Sequence, residues 1–263
     1  MDMREIVGSH DILLITLDTL RYDVADELAR AGRLPDLLPR GARWERRHSP
    51  GSFTYASHAA IFAGFLPTPV TPGPHPRLFA ATFPGSETTA DGTWVFDAPD
   101  LPAGLARAGY HTVCVGGVGF FNKRTPLGSA LPGLFAESHW EPEFGVTDPR
   151  SLENQIDRVD EILRNIKTRV FLFLNVSALH QPNHFYLPGA TTDSRDTHAA
   201  ALTYVDRHIG RLYDLMPRPT LVIVCSDHGT AYGEDGHVGH RIGHEVVWTV
   251  PYTQFILEPH APV

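Results

Sequence analysis

The apolar positions of this chain fall into short continuous runs, separated by stretches in which they recur every three or four residues. Leu13, Leu14, Ile15, Thr16 and Leu17 form one run that stops at Asp18; Leu221, Val222, Ile223, Val224, Cys225 and Ser226 form another that stops at Asp227, His228 and Gly229. Continuous β-rich runs of this length are the sequence form of strands buried on both faces, because a parallel sheet is covered by its own crossover helices. Thr112 to Val115, Val170 to Asn175 and Tyr252 to Leu257 read as further strands. Between the runs, Leu20, Val24 and Leu28 keep helical spacing over residues 19 to 31, and Gly32 closes the segment. Ala56 to Phe62 is small and apolar, with Gly64 and Pro67 as its stop, and Leu101 to Ala108 reads as a short helix. Ser151 is expected to cap an amphipathic helix with Ile156, Val159, Ile162, Leu163 and Ile166 on one face, and a long helix spans about 196 to 215. Strands alternating with helices predict an α/β fold: a mostly parallel sheet with helices on both faces. Residues 67 to 93, dense in Pro, Gly and Thr, predict a long irregular excursion, and 119 to 149 a second loop-like stretch.

Sites in such sheets lie beyond the carboxyl ends of the strands, where Asp18, Asp227 and His228 fall. Two carboxylates and an imidazole make an oxygen and nitrogen set that suits Zn or Mn. Taken singly, each has a structural alternative: Asp18 as the cap of the following helix, Asp227 as the opening of a turn before Gly229. Thr54 follows a turn of Pro50, Gly51, Ser52 and Phe53 and lies at a helix N-terminus, whose unpaired N–H groups and partial positive charge suit an anion. Its structural alternative is an ordinary N-cap.

Length and composition narrow the function classes. A chain of 263 residues is compatible with one α/β domain spanning 1–263. The formal charge of -8, from 22 Lys and Arg against 30 Asp and Glu, gives no support to nucleic-acid or anionic-membrane binding. Only two cysteines occur, Cys114 and Cys225, both inside apolar strand-like runs, which excludes a disulfide framework. Met1 to His10 has no apolar h-region, and no run reaches the length of a membrane span, so a soluble cytoplasmic protein with no membrane partner is expected.

Three blocks carry a family resemblance: DTLRYD at Asp18 to Asp23, TYASHAAIFAGFLP at Thr54 to Pro67, and SDHGTAYGEDGHVGH at Ser226 to His240, followed by VPY at Val250 to Tyr252. In order and spacing they resemble the sulfatase-like branch of the alkaline phosphatase superfamily. The resemblance implies an alkaline-phosphatase-like core lacking a large C-terminal subdomain, with Thr54 in the nucleophile's place. It also shows departures. Sulfatases convert a cysteine or serine to formylglycine, which a threonine cannot become. They place an asparagine where His228 stands and commonly an aspartate where Thr19 stands, an oxygen-rich set suited to calcium. Asp18, Asp227, His228 and the Thr54 hydroxyl are instead similar to the set that holds Zn or Mn in the phosphatase, phosphodiesterase and phosphonate hydrolase relatives, with one ion expected and a second left open.

The remaining histidines divide by position among the 15 in the chain. His180, in an H-x-P-like element with Pro182, and His240, in the metal block, are expected to act on the substrate, binding its oxygens or protonating the leaving group. His58 and His240 stand where sulfatases often carry Arg and Lys. His58, His184 and His244 are open as substrate ligands or ligands of a second metal, and His237 is open as a surface residue or ligand. Arg21 is expected to be structural, paired with Asp23 or Glu27, and Trp94 and Phe96 to belong to a core. The function expected is a metal-dependent hydrolase or group transferase acting on a small-molecule phosphate, phosphonate or phosphodiester ester through Thr54. The alternatives are an atypical sulfatase without formylglycine and a catalytically silent metal-binding scaffold.

Overall fold

The computed structural model describes residues 1–39, 41–64, 77–79, 93–95 and 100–259. After a short helix α1 (Met3–Ile6), strand β1 (Asp11–Leu17) is buried along its whole length and leads into α2 (Tyr22–Arg30). Then follow β2 (Glu45–His48), α3 (Thr54–Ala63), the short strands β3 (Arg77–Phe79) and β4 (Thr93–Val95), α4 (Leu101–Arg107), β5 (His111–Val115) and α5 (Pro126–Ala130). The chain continues through β6 (Glu137–His139), α6 (Ser151–Leu163), β7 (Val170–Val176), α7 (Arg195–Asp214) and β8 (Thr220–Cys225). It closes with a small hairpin of β9 (Ala231–Tyr232) and β10 (Val238–Gly239), then α8 (Glu245–Trp248) and β11 (Thr249–Leu257). The irregular stretch expected over 67 to 93, and Trp94 and Phe96 as core residues, lie outside the described residues apart from the backbone of β3 and β4.

Seven strands form one sheet in the order β2-β11-β8-β1-β7-β5-β6. β1 pairs parallel with both β7 and β8, and β5 parallel with β7 and β6, while β11 runs antiparallel to β8 and β2. The mostly parallel sheet is therefore centred on the strand that carries Asp18 at its end. Because side chains alternate across a strand, β1 feeds two cores. Leu13, Ile15 and Leu17 pack with α2, α6 and α7 through Val24, Leu28, Ile156, Val159, Leu202 and Val205. Ile12 and Leu14 join the opposite core, rich in aromatic rings, with Phe62 of α3, Leu105 of α4, and Phe121, Phe135, Phe171 and Phe173. Helices cover both faces, as the alternation predicted. Each fully buried aliphatic or aromatic side chain contributes about 1.5–3 kcal/mol relative to exposure, so the central strands are the rigid frame of the molecule.

Several local expectations are corrected. The helix expected from residue 19 starts at Tyr22, because Thr19 takes a left-handed backbone with φ 66° and Arg21 is extended. Ser151 is the first helical residue of α6 rather than its cap, the N-cap being Arg150. The stretch 119 to 149 is not all loop: it contains α5 and β6. Asp18 does not cap α2, whose N-cap is Arg21. Arg21 is structural as expected, but its partners are Asp23 and Glu234, while Glu27 pairs with Arg195. Both cysteines are free thiols.

Candidate metal centre and active site

Register alone brings the polar ends of the central strands together. Thr16 on β1 lies opposite Asn175 on β7 and Cys225 on β8, so the next residues of β1 and β8 project Asp18 and Asp227 past one edge of the sheet. Asp18, Asp227 and His228 are fully buried, and one potential ligand atom from each lies within 4.8 Å of the others. His228 Nδ1 is 2.9 Å from the Gly229 carbonyl, which can only accept, so Nδ1 carries the proton and Nε2 is left with a free lone pair. That Nε2 lies 3.4 Å from Asp227 Oδ2. The Thr54 hydroxyl completes the group, 3.5 Å from Asp18 Oδ2 and 3.4 Å from His228 Nε2.

Thr54 reaches this point because α3 begins with it. The N-cap is Phe53, extended and without a capping side chain; the Thr54 hydroxyl is directed at Asp18 and His228, and among the described residues the first N–H groups of α3 have no side-chain acceptor. The ordinary N-cap alternative is thereby excluded.

The donor set fits a cation. Asp18 Oδ1 and Asp227 Oδ2 are buried with no hydrogen-bond partner among the described residues. Burial raises the Asp18 carboxyl's pKa, and the neighbouring Asp227 raises it further; burial likewise raises that of Asp227. Two carboxylates that repel one another in a dry site, with orphaned oxygens and an imidazole lone pair facing them, are what a divalent ion neutralises.

Two residues that sequence reading did not assign to the site support it. Asn175 accepts from the Gly117 and Val118 N–H groups through Oδ1, which fixes its amide orientation, and its Nδ2 donates to Asp18 Oδ2 at 3.2 Å and to the Thr16 hydroxyl at 3.3 Å. Thr19 donates its backbone N–H to Asp227 Oδ1 at 3.3 Å. Asn175 had a legible signal, since it is the polar residue near the end of an otherwise apolar strand.

His58, left open by the sequence as a substrate ligand or ligand of a second metal, has its ring nitrogens engaged within the protein. Its Nδ1 donates to the Thr54 carbonyl at 2.8 Å and its Nε2 accepts from the Thr16 hydroxyl at 3.0 Å, so neither ring nitrogen is free for a metal or substrate. Phe62, Phe121 and Phe173 surround the ring, and burial lowers its pKa to about 4, holding it neutral. It is a buried brace under the start of α3.

His180 and His240 do come to the site. The His240 ring lies 4.6 Å from that of His228 and 5.5 Å from that of His180, centroid to centroid. Both line a cleft of about 280 Å³ that opens beside Thr54. His180 Nδ1 donates to the Gln181 carbonyl, leaving Nε2 for other partners. Burial, with His228 and His180 nearby, lowers the pKa of His240 to about 3. His184 and His244 are not in the cluster. His184, left open by the sequence, bonds Asp193, and His244, also left open, caps α8 through Nδ1 while its Nε2 meets Asp235. His237 packs beside His244, with ring centroids 5.8 Å apart.

Gly229 explains why the block tolerates no side chain after His228. A Cβ there would stand 2.0 Å from the Val246 carbonyl oxygen, and the Gly229 N–H donates to Val247 at 2.7 Å. α8 therefore presses directly on the backbone that carries His228.

The mostly parallel sheet with helices on both faces is an alkaline-phosphatase-like α/β fold. Within it, the chain belongs to the Sulfatase family, matching it over residues 10–253. Similar solved structures agree on the fold. The C-terminal periplasmic domain of EptC from Escherichia coli, in complex with Zn, is 11% identical with TM-score 0.62, covering 96% of this chain and 74% of that one. The integral membrane lipooligosaccharide phosphoethanolamine transferase A from Neisseria meningitidis is 18% identical with TM-score 0.61, covering 94% of this chain and 48% of that one. An alkaline phosphatase superfamily protein from Vibrio parahaemolyticus is 19% identical with TM-score 0.58, covering 97% of this chain and 62% of that one. The chain thus spans about half of the Neisseria protein. No curated protein matches it by sequence. Among the described residues no helix is long and apolar enough to cross a membrane. The cytoplasmic location expected from the sequence is overturned, since several similar structures are periplasmic domains.

Proposed function

We propose that this chain is a metal-dependent enzyme that transfers a phosphoryl or substituted phosphoryl group from a small-molecule ester to Thr54, and from Thr54 to water or a second hydroxyl. The observation that carries the reading is the Thr54 hydroxyl, buried at the start of α3 and within 3.5 Å of Asp18 and His228, the two residues that with Asp227 form the cation-fitting group. A structural threonine has no need of that position. Asp18, Asp227, His228 and Thr54 Oγ1 would hold the ion, and their oxygen and nitrogen donors suit Zn or Mn. Such an ion, when bound, lowers the pKa of a coordinated hydroxyl and neutralises charge on the phosphoryl oxygens.

The chain's own groups supply the rest. His228 is held in the right tautomer by the Gly229 carbonyl. Asn175 fixes Asp18, the Thr19 N–H fixes Asp227, and His58 ties the Thr54 carbonyl to Thr16, so that the nucleophile and the carboxylates keep one geometry. The free N–H groups at the start of α3 face an incoming anion and stabilise charge on its equatorial oxygens; phosphoryl transfer depends chiefly on such electrostatic stabilisation and on positioning. His180 and His240, on the wall of the cleft, bind phosphoryl oxygens, and His180 Nε2 is the atom for proton exchange with the leaving oxygen. The Zn-bound state of the EptC domain and the transferase named for the Neisseria protein lend weight to this reading.

The test is turnover by Zn- or Mn-loaded protein on p-nitrophenyl phosphate, its phosphonate monoester and diester analogues, and p-nitrophenyl sulfate. Turnover of phosphorus esters that stops with chelator is expected. Turnover of the sulfate alone, or of none of the four, overturns the proposal.

A further inference from the structure

The cleft beside Thr54 has a chemical character of its own. Besides Thr54, His180 and His240, it is walled by Val118, Phe120, Leu127 and Val146, with Arg241 at its side, and no carboxylate is among the described residues that line it. Leu127, on α5, leaves 52% of its surface exposed, one of few large apolar side chains to do so. Together with Val118, Phe120 and Val146 it gives one side of the cleft an apolar wall open to a ligand. Phe120 is held by Tyr55 and Phe53, with ring centroids at 5.9 and 6.3 Å. The Arg241 guanidinium lies over Phe53 at 5.8 Å, on the flank of that ring cluster. The Arg241 backbone lies in the left-handed region at φ 68°, and its N–H donates at 2.8 Å to the carbonyl of Ser52, within the turn that leads into Thr54.

We infer that the cleft takes a phosphoester with an uncharged, apolar organic arm, aryl or alkyl, against Val118, Phe120, Leu127 and Val146, and that Arg241 contacts its phosphoryl oxygens and turns away esters that carry an ammonium. The inference rests on the phosphoester reading above. A cationic arm is best met by a carboxylate, and none is among the described residues that line the cleft, while the Arg241 guanidinium at its side adds repulsion. The volume of about 280 Å³ suits a phosphoryl group with one ring or short chain.

The experiment is titration calorimetry of Zn-loaded Thr54→Ala protein, which cannot form the covalent species, with phenylphosphonate and 2-aminoethylphosphonate. Phenylphosphonate is expected to bind more tightly by about tenfold or more, a difference of about 1.4 kcal/mol. Leu127→Asp, at an exposed position, keeps the fold by circular dichroism and supplies the missing carboxylate, so it should narrow or invert that ratio; Arg241→Ala should weaken both ligands and narrow the ratio. Equal or tighter binding of the aminoethyl compound by the Thr54→Ala protein overturns the inference while leaving the phosphoester reading intact, as does a ratio that Leu127→Asp leaves unmoved. If neither phosphonate binds and no phosphorus ester is turned over by the unmodified protein, the phosphoester reading itself fails.

Discussion

The Thr54 hydroxyl lies 3.4 Å from His228 Nε2, although 174 residues separate the two in the chain. One stands at the start of a helix and the other just past a strand, and only the crossover order of the sheet brings them together. A shared cation is the simplest reason for the two to meet in a dry site.

Metal binding should depend on the strand-end pair. Protein purified without chelator is expected to carry a transition metal near one equivalent by elemental analysis. Asp18→Asn with Asp227→Asn should lose it, because amides lack the charge that offsets a dehydrated divalent ion. His58→Phe should retain it, since both nitrogens of His58 are used within the protein. Full metal content in the double variant would contradict the ligand assignment.

Gly229 should resist substitution more than a turn glycine would. Its constraint is the Val246 carbonyl, 2.0 Å from where a Cβ would stand, and backbone cannot yield as a side-chain tip does. Gly229→Ala is expected to destabilise by about 1–3 kcal/mol, the usual cost of overpacking. It should also lower metal affinity by moving His228. A Tm and metal content equal to those of the unmodified protein would show that α8 gives way freely.

Much of this site was readable in the sequence. Asp18, Asp227 and His228 end apolar runs, and the period of those runs is set by burial in a two-sided sheet. Thr54 was legible from the turn and the apolar helix around it. The edge strands were not: β2 is Glu45, Arg46, Arg47 and His48, all exposed, so no hydrophobic pattern marks it. The brace formed by His58 was hidden for a different reason. Its role comes from Thr16 and Phe173 on neighbouring strands, contacts that sequence spacing does not encode. Local signals likewise failed at Ser151, a good capping residue that the turn places one position too late.

A buried histidine away from the metal group should make the protein acid-sensitive. His198 on α7 is fully buried, with neither ring nitrogen hydrogen-bonded among the described residues and its ring against Tyr232. Burial above all, with Arg21, Arg195 and His180 adding and Asp23 opposing, lowers its pKa to about 3. Because the unfolded chain binds this proton from about pH 6.5 downwards and the folded chain does not, the contribution is fully present above pH 6.5 and is lost as pH falls towards 3. The slope from one such group reaches about 1.4 kcal/mol per pH unit. Urea unfolding of His198→Leu should show a shallower decline in stability than the unmodified protein as pH falls from about 6 to about 4, a window that opens just below the unfolded histidine pKa. Parallel curves for the two proteins would remove this histidine from the acid response.

The central claim is that Thr54 takes the transferred group. Metal-loaded protein mixed with a turned-over phosphorus ester, quenched in acid within milliseconds and digested for mass spectrometry, should yield the Thr54 peptide carrying a covalent phosphoryl group. Thr54→Ala should yield none, with turnover reduced by several orders of magnitude, on the order of the 10⁶ known for loss of a hydrolase nucleophile. An unmodified Thr54 peptide together with a Thr54→Ala variant as active as the unmodified protein would contradict the account.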